Sequence, residues 1–512
     1  MISPEKGLFY GIFSIFIFYY LLLIVNEKLF VYVVTFIVVT LSLYYPIYLL
    51  YGSLNSGIVA AFLETNLYES FSFTEKFDVT DFLFPAFFIY SFILLMRLKK
   101  YRVVNTGTSD RKQKVLHGVL VLVLLLSIFW VPVKYYFSSQ NQIDKKPWTL
   151  SDSPVNVLSF YFNIYDSIKG YYVEKQELEL AAKALSPWHV VSFEPKYKNY
   201  ILVIGESARR DYFSAYGFKL NTSPFLAKTT GYVNRGYISA APATYHSLLH
   251  SLYFVKDGQK KIDYAYNIIN LAKSANIKTT WISNQGSIGK YDTISSRIGV
   301  SSDNPIFTKK GGFNMTNVDD SKLIEILSHQ LKETSDKDRV NLFVLHLMGS
   351  HNNFCDRLIE TDEKLDFINK DMGCYVSSIL KTDRLIESII TMFKEKNESY
   401  SLIYFSDHGL AHVEKENKDK LTLDYDIDYK QSYEIPFFKI SSDDTERNEV
   451  NVKRSAFNFM YGFSQWLGIK TEELNGEYDF FSDREDKNIK VFNFDEMVNF
   501  DELKDDPIPA NN

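Results

Sequence analysis

The chain has 512 residues, a formal net charge of −6 and a mean hydropathy of −0.13. This length exceeds that of one ordinary domain, so we expect at least two folding units. The acidic balance gives no support for nucleic-acid binding, which normally requires a concentrated basic face. The average hydropathy hides a division near residue 135, where an apolar N-terminal third gives way to a remainder rich in Lys, Asp and Glu.

Before that division lie four apolar runs that each predict a membrane span: Leu8 to Val25, Leu29 to Leu50, Phe82 to Met96 and Val115 to Val133. A span needs roughly 20 predominantly apolar residues, a length that the third run reaches only with neighbouring residues. Buried helices of a soluble core are an alternative, but four such runs with few charges inside them favour lipid. A cleaved signal peptide fits less well, because no small-residue cleavage site follows the first run.

Basic residues between the third and fourth runs set the predicted orientation. They are Arg97, Lys99, Lys100, Arg102, Arg111, Lys112 and Lys114. Because such positive loops stay cytoplasmic, the fourth run should carry the rest of the chain to the outer side. Segment 51–80 and the N-terminus would then also lie outside. In that compartment Cys355 and Cys374 can form one disulfide, and two unpaired buried thiols are the alternative.

The part after Lys134 begins as a linker with some helix and continues as alternating strands and helices. The predicted strands are Tyr200 to Ile204, Thr279 to Ser283, Val340 to Leu347, Leu402 to Phe405 and Ile435 to Ile440. Apolar strands separated by helices predict an α/β domain whose central, mostly parallel sheet is covered on both faces. We therefore expect a transmembrane domain at 1–134, a bridging linker at 135–196, a catalytic domain at 197–490 and an acidic, solvated tail at 491–512.

Acidic and imidazole side chains collect just past these strands, where ligands bind in such sheets. Glu206 follows the first strand, His346 and His351 lie at the third, and Asp407-His408 follows the fourth. A carboxylate and an Asp-His pair suit Zn²⁺ and leave a coordination position open for catalysis. Each piece alone is more typical of a strand-ending turn, but the shared placement favours a metal site.

Thr244 is the predicted nucleophile, because it stands where a helix should begin. Exposed backbone N–H groups at a helix start favour an incoming phosphate, and a metal would activate the hydroxyl. An N-cap role is the alternative, and spacing alone does not decide between the two. His246 and His250 superficially suggest a zinc pair, but the Glu of a zinc-protease helix is missing, so we interpret them as helix-face residues beside the site.

Several motifs follow one another along the chain. They are Gly205-Glu206-Ser207-Ala208-Arg209, Ala243-Thr244, Trp281 to Gln285, His346 to His351, Ser406 to Gly409 and Glu434 to Phe437. This ordered set closely resembles bacterial phosphoethanolamine transferases that modify lipopolysaccharide, within the sulfatase and alkaline-phosphatase superfamily. The resemblance covers nearly the whole chain and implies an alkaline-phosphatase-like, sulfatase-like α/β domain behind a membrane domain.

The resemblance also implies roles for individual residues. Zinc would be held by Glu206, Thr244, Asp407 and His408, and Thr244 would carry the phosphoethanolamine. The substrate-side residues that it implies are Ser287 and Lys290 at the substrate phosphate, His351 as a hydrogen-bonding or proton-donating group, His412 as a further substrate contact, and Thr65 and Glu69 at the lipid donor. The family typically has five spans, whereas the apolar runs here predict four.

We therefore expect a zinc-dependent transferase of the bacterial inner membrane with its catalytic domain in the periplasm, acting as a monomer. The donor would be phosphatidylethanolamine and the acceptor lipopolysaccharide, at lipid A or the inner core. A phosphodiesterase, sulfatase or phosphoglycerol transferase on the same scaffold is the enzymatic alternative. A catalytically silent lipid-binding membrane protein is the non-enzymatic one. Lipid A, heptose, Kdo and periplasmic glucan all remain open as acceptors.

Overall fold

A computed structural model describes residues 27–51, 59, 63, 78–99, 115, 118, 119, 121, 122, 156–183, 185–254, 263–286, 294–309, 318–333, 339–474 and 476–509. The chain divides into an N-terminal unit, Met1–Phe62 with Glu69–Val173, and a C-terminal unit, Glu174–Asn512 with Leu63–Tyr68. The boundary falls inside one long helix, so each unit is described by itself.

The N-terminal unit contains helices α1 (Glu27–Tyr51) and α2 (Leu83–Lys99), and α3 (Asn156–Lys183) begins in it. Residues Lys28–Leu49 form one helix long and apolar enough to cross a membrane, and Val79–Leu94 is a shorter apolar helix. Two of the four predicted runs thus coincide with helices. The run from Leu8 to Val25 lies outside the described residues, as does most of Val115 to Val133, so the number of spans stays a prediction.

Contacts between these helices are apolar and aromatic. Phe30, Val34 and Val38 of α1 form a small buried cluster against which Phe92 of α2 packs. The ring of Phe36 stacks on that of Tyr161 in α3, with centroids 5.6 Å apart. The outward face of α1 nevertheless leaves large apolar side chains uncovered, with Tyr32 74% and Leu43 71% exposed.

An eight-stranded sheet organises the C-terminal unit, in the order β11-β3-β10-β7-β2-β6-β4-β5. Strands β7, β2, β6, β4 and β5 are mutually parallel, and β11 is parallel to β3, whereas β10 runs antiparallel to both of its neighbours. The sheet is therefore mixed with a parallel majority. The sheet strands are β2 (Asn199–Gly205), β3 (Gly231–Ile238), β4 (Lys278–Gly286), β5 (Asn304–Lys309), β6 (Asn341–His346), β7 (Tyr400–Ser406), β10 (Phe437–Ser441) and β11 (Arg447–Ser455).

Side-chain alternation in β2 explains how both faces are covered. Tyr200, Leu202 and Ile204 belong to one hydrophobic cluster, whereas Ile201 and Val203 belong to the other. Successive side chains of a strand point to opposite faces, so a continuous apolar run is expected where both faces are buried. The α/β prediction is confirmed, and all five predicted strands coincide with observed ones.

The remaining elements are helices around the sheet and short strand pairs. The helices are α4 (Pro224–Lys228), α5 (Thr244–Ser251), α6 (Ile268–Ser274), α7 (Ile294–Gly299), α8 (Lys322–Glu333), α9 (Lys370–Glu395) and α10 (Phe459–Leu467). The short strands are β1 (Val190–Phe193), β8 (Ala411–Val413), β9 (Thr422–Asp424), β12 (Ile469–Thr471), β13 (Lys490–Phe492) and β14 (Met497–Asn499). They pair as β1 with β12, β8 with β9 and β13 with β14.

Two of the predicted boundaries of the catalytic domain are wrong. Strand β1 pairs with β12, and Trp188 belongs to the core, so the domain begins before residue 197. At the other end, β13 and β14 form a hairpin, and both Phe500 and Asp506 are buried. The predicted solvated tail is therefore folded onto the domain through its last described residues. Its acidic composition suggested a tail because the partners of its charges lie far away in sequence.

Cys355 and Cys374 form a disulfide. The bond joins the 3₁₀ turn Phe354–Arg357 to the first turns of α9 and closes the charged loop between them. Of the two alternatives left open by the sequence, the disulfide is confirmed.

His250 is partly exposed but its Nδ1 is buried, and this predicts a dependence of stability on pH. Its ring packs against those of Phe457 and Phe492, and burial lowers its pKa to about 4. The unfolded chain, with an ordinary pKa of about 6.5, binds the proton more tightly, so stability should fall as pH drops from about 6.5 towards 4. His250→Phe should flatten this dependence by up to ~1.4 kcal/mol per pH unit. Melting temperatures of the purified protein between pH 5 and 7 would measure it.

The matched control is His329→Phe, because His329 lies on α8 with its side chain 67% exposed. This variant should follow the wild-type pH dependence. Equal slopes for His250→Phe and wild type would contradict the explanation.

Candidate active site

The centre of the site is built by two neighbouring parallel strands. Strands β2 and β7 pair so that Gly205 lies opposite Ser406, and the next residues of the two strands are Glu206 and Asp407. Parallel strands end at the same sheet edge, so this register brings two carboxylates together. Both are buried, with Glu206 1% and Asp407 0% exposed.

Two further side chains converge on these carboxylates. His408 donates from Nδ1 to the carbonyl oxygen of Gly409 at 2.7 Å, which leaves Nε2 3.4 Å from Glu206 Oε1. The hydroxyl of Thr244 donates to Glu206 Oε2 at 3.2 Å and lies 3.4 Å from His408 Nε2. The four residues that were predicted as metal ligands are thus brought together.

Thr244 is the first residue of α5, as the sequence indicated. The N-cap is Ala243, and no side chain caps the helix. The N-cap alternative for Thr244 is therefore wrong, because its hydroxyl bonds to Glu206 instead of to the backbone of its own helix. Next to it, Ser247 donates its hydroxyl to the backbone oxygen of Asp407 and ties the helix to the strand end.

The charges of the site shift the pKa values of its residues in opposite directions. Burial and the charge of Glu206 raise the pKa of Asp407. Burial alone would raise the pKa of Glu206, but hydrogen bonding to His408 and the charges of His351 and His408 lower it. Burial alone would lower the pKa of His408, but the charges of Asp407 and Glu206 raise it to about 9. A cation beside the two carboxylates would therefore favour their ionised forms.

A left-handed residue and a glutamine hold the carboxylates in place. Ser207 has a φ of 56°, and this conformation lets its backbone N–H donate to Asp407 Oδ1 at 2.9 Å while its hydroxyl donates to Glu206 Oε1 at 2.7 Å. Such strained backbone is typical of functional sites. Gln285, at the end of β4, donates to Glu206 Oε2 and to the carbonyl oxygen of Leu347. Its place in the Trp281 to Gln285 motif was a signal, but sequence reasoning assigned it no role.

The loop after β6 carries His351 and packs closely on Glu206. Gly349 has a φ of 46°, and a Cβ there would lie 2.9 Å from the backbone nitrogen of Glu206, so only glycine fits without strain. Asp320 accepts from the backbone N–H groups of Met348 and Gly349, each at 2.9 Å. His351 lies near enough for its charge to act on Glu206. Nothing in the sequence around Asp320 indicated this support.

His412 is buried in a network of its own. Its Nδ1 bonds to Asp506 Oδ2 at 2.8 Å, and its Nε2 bonds to the hydroxyl of Tyr212 at 2.6 Å. Both ring nitrogens are engaged by protein groups, and the side chain is 0% exposed. The predicted contact with substrate is therefore at odds with this geometry, because it would require these bonds to break.

Four other predicted residues, namely Ser287, Lys290, Thr65 and Glu69, lie outside the described residues. His246 and His250 lie on α5, as predicted. The ring of His246 packs against those of Phe492 and Phe494, and the ring of His250 packs against that of Phe457. Within the described ranges, the one group of at least three acidic, His or Cys residues that could hold a metal is Glu206, Asp407 and His408.

The residues of this group fit a metal ion. Their ligand atoms all lie within 4.8 Å of one another, and all three side chains are buried. Asp407 Oδ2 is buried and has no hydrogen-bond partner among the described residues, as expected of an atom reserved for a ligand. Two carboxylates, an imidazole and a hydroxyl form a donor set that suits Zn²⁺.

Comparison with known proteins identifies relatives of this chain. The family profile described as Sulfatase matches residues 198–469. The chain is 34% identical over 469 residues to "Phosphoethanolamine transferase OpgE" of Escherichia coli strain K12, which covers 90% of this chain and 85% of that protein. It is 23% identical to "Phosphoethanolamine transferase EptC" of the same strain over 335 residues. That alignment covers 59% of this chain and 58% of that protein.

Two solved structures share the fold. The C-terminal periplasmic domain of EcEptC from Escherichia coli, in complex with Zn, matches with a TM-score of 0.53 at 22% identity, over 62% of this chain and 98% of that one. The integral membrane protein lipooligosaccharide phosphoethanolamine transferase A from Neisseria meningitidis matches with a TM-score of 0.54 at 16% identity, over 92% and 90%. The C-terminal unit is thus alkaline-phosphatase-like.

The contact of Gln285 with Glu206 predicts an effect on metal affinity. Partners that orient metal ligands typically contribute 10–100-fold to affinity. We expect Gln285→Ala to raise the Kd for Zn²⁺ about tenfold, measured by competition with a chelator. Gln330→Ala is the control, because Gln330 bonds to Asn304 and Glu333 away from the site. Equal affinities for both variants would contradict a supporting role of Gln285.

Proposed function

The chain belongs to the sulfatase family, as a member of its phosphoethanolamine transferases, and we propose that it transfers phosphoethanolamine from phosphatidylethanolamine to lipopolysaccharide through Thr244. The observation that carries the proposal is the position of the Thr244 hydroxyl. It lies at the start of α5 and within 3.4 Å of both Glu206 and His408. A helix start offers backbone N–H groups and a positive dipole end to a phosphate.

The proposed first step forms a bond between the Thr244 oxygen and the phosphorus of the donor. The bond from phosphorus to the glycerol oxygen breaks, and diacylglycerol leaves. Thr244 loses a proton and diacylglycerol gains one, with His351 as the proposed carrier. A Zn²⁺ ion held by Glu206, Thr244, Asp407 and His408 would stabilise negative charge on the attacking and phosphoryl oxygens.

In the proposed second step, an acceptor oxygen forms a bond to the same phosphorus and the bond between phosphorus and the Thr244 oxygen breaks. The acceptor loses a proton and the Thr244 oxygen gains one, which regenerates the hydroxyl. Ser287 and Lys290 are proposed to hold the substrate phosphate, and Lys290 would offset part of its charge. A covalent intermediate divides one difficult displacement into two. Release of the lipid product before acceptor attack also lets one site serve two substrates in turn.

A membrane domain would bring a lipid donor to this site. We propose that residues 1–134 form a multi-pass domain of the bacterial inner membrane, with the catalytic domain in the periplasm. The apolar helix Lys28–Leu49 and the exposed apolar side chains of α1 support it. Thr65 and Glu69 would contact the donor from the periplasmic segment.

Replacement of the nucleophile tests the covalent route. Thr244→Ala should reduce diacylglycerol release from phosphatidylethanolamine by more than ~1,000-fold, because loss of a nucleophile removes the acting group itself. Thr244→Ser keeps a hydroxyl and should retain measurable turnover. Mass spectrometry of the active-site peptide should find phosphoethanolamine on Thr244 of the wild type. Near-normal turnover by Thr244→Ala would reject the covalent route, and free phosphoethanolamine as the sole product would indicate hydrolysis.

Mass spectrometry of cell-envelope glycans tests the acceptor. Strains that express the wild type should carry a phosphoethanolamine-sized increment on a lipid A or inner-core fragment, and strains that express Thr244→Ala should not. An increment on periplasmic glucan alone would replace the proposed acceptor while leaving the transfer chemistry intact. An unchanged envelope, with zinc and covalent phosphate both absent from the protein, would favour the silent lipid-binding alternative.

A further inference from the structure

Arg209 is a fully buried cation three residues after Glu206. Its guanidinium donates to Asp506 Oδ2 at 2.7 Å and to the backbone oxygen of Asp506 at 2.8 Å. On its other side it donates to both carboxylate oxygens of Asp211, at 3.0 and 2.7 Å. A buried guanidinium requires such partners, because an unpaired buried charge is strongly destabilising.

Asp506 lies near the end of the described chain, yet it is only 2% exposed. Besides Arg209, its carboxylate accepts from the backbone N–H of His412 at 2.7 Å and from Lys415 Nζ at 2.8 Å. Burial alone would raise the pKa of Asp506, but the hydrogen bond with His412 and the charge of Arg209 lower it. The carboxylate is therefore held ionised by groups from two other parts of the chain, Arg209 and the segment from His412 to Lys415.

These contacts join the two loops that carry the metal-site residues. Arg209 ends the loop that begins with Glu206, and His412 lies in β8, four residues after His408. One carboxylate from the C-terminal segment thus links the chain after β2 to the chain after β7. The link is tight, because Gln431 accepts from the backbone N–H of Asp506 and a Cβ on Gly409 would lie 3.4 Å from Arg209 Cγ.

Hydrogen bonds connect the backbone of Arg209 to the proposed metal site. The backbone N–H of Arg209 donates to the hydroxyl of Tyr375, and that hydroxyl donates to the carbonyl oxygen of Ser207. Ser207 in turn bonds to both Glu206 and Asp407. A shift of Arg209 would therefore disturb the residue that spaces the two carboxylates.

We propose that Asp506 is a positioning residue, which fixes Arg209 and the His412 segment and thereby sets the geometry of Glu206, Asp407 and His408. The inference rests on the proposed function, because it concerns the geometry of the same metal site. It also gives the buried His412 a structural role. The C-terminal segment becomes part of the catalytic architecture, although none of its described residues is a proposed metal ligand.

A second buried Arg–Asp pair in the same unit provides a matched control. Arg454 is 1% exposed and bonds to Asp486 Oδ1 at 2.7 Å. Asp486 also accepts from Ser455, Asn458 and Tyr478. None of these described partners belongs to the candidate active site. Asp486→Asn and Asp506→Asn thus remove comparable ionic partners, at different distances from the metal residues.

The experiment compares zinc affinity in the purified full chain, at a temperature below the melting point of every variant. Both Asp→Asn variants should lower the melting temperature. Asp506→Asn should also raise the Kd for Zn²⁺ about tenfold or more. The same variant should lower kcat with little change in KM. Asp486→Asn should keep the Kd for Zn²⁺ within about twofold of the wild-type value. Equal zinc affinities for the two variants would overturn the inference.

A conservative variant keeps the test decisive if Asp506→Asn does not fold. Asp506→Glu retains the charge but displaces it by one methylene group, so it should fold and bind Zn²⁺ more weakly than the wild type and Asp486→Asn. Zinc binding by Asp506→Glu as tight as that of Asp486→Asn would overturn the inference. A wild-type protein that binds no zinc would overturn this inference and the zinc-dependent function together, whereas equal binding by all variants removes only the inference.

Discussion

The rest of the site depends on the close approach of two buried carboxylates, Glu206 and Asp407. Their proximity follows from the parallel pairing of β2 with β7, in which Gly205 lies opposite Ser406. Burial of like charges is costly unless a cation or hydrogen bonds compensate for them. The surrounding structure supplies the hydrogen bonds through Ser207 and Gln285, and it places one imidazole, His408, within reach of both.

This constraint explains why unusual backbone collects at one edge of the sheet. Ser207 adopts a left-handed conformation because its N–H and hydroxyl must each face a different carboxylate. Gly349 is needed because its loop approaches the backbone of Glu206 more closely than a side chain permits. The same loop is held by Asp320, and it delivers His351 to the site. Local strain at these positions is offset by the rigid parallel strands behind them.

The central strands and the meeting of Glu206, Asp407 and His408 at one sheet edge could be predicted because their signals are local. Continuous apolar runs indicate strands buried on both faces, and the residues just after them mark the ligand-binding edge. Strands β3, β5 and β11 escaped prediction because polar residues interrupt them, as in the Arg447–Ser455 sequence. The tail at 491–512 was predicted wrongly for a related reason. Asp506 can be buried because its carboxylate pairs with Arg209, which lies 297 residues away in the sequence. No local sequence pattern reveals such a pairing.

Arg209 does not neutralise the two carboxylates at the ends of β2 and β7. It is the buried cation nearest in sequence to Glu206, yet Asp211 and Asp506 accept its hydrogen bonds and balance its charge. The charges that lower the pKa of Glu206 come instead from His351 and His408. Arg209 is paired with Asp211 and Asp506, so it does not neutralise Glu206 or Asp407. The negative charge of these two carboxylates therefore remains uncompensated by Arg209 in the space that they share with Thr244. By balancing the charge of Arg209, the side-chain carboxylate of Asp506 leaves the charge of Glu206 and Asp407 to be compensated beside Thr244, the proposed nucleophile.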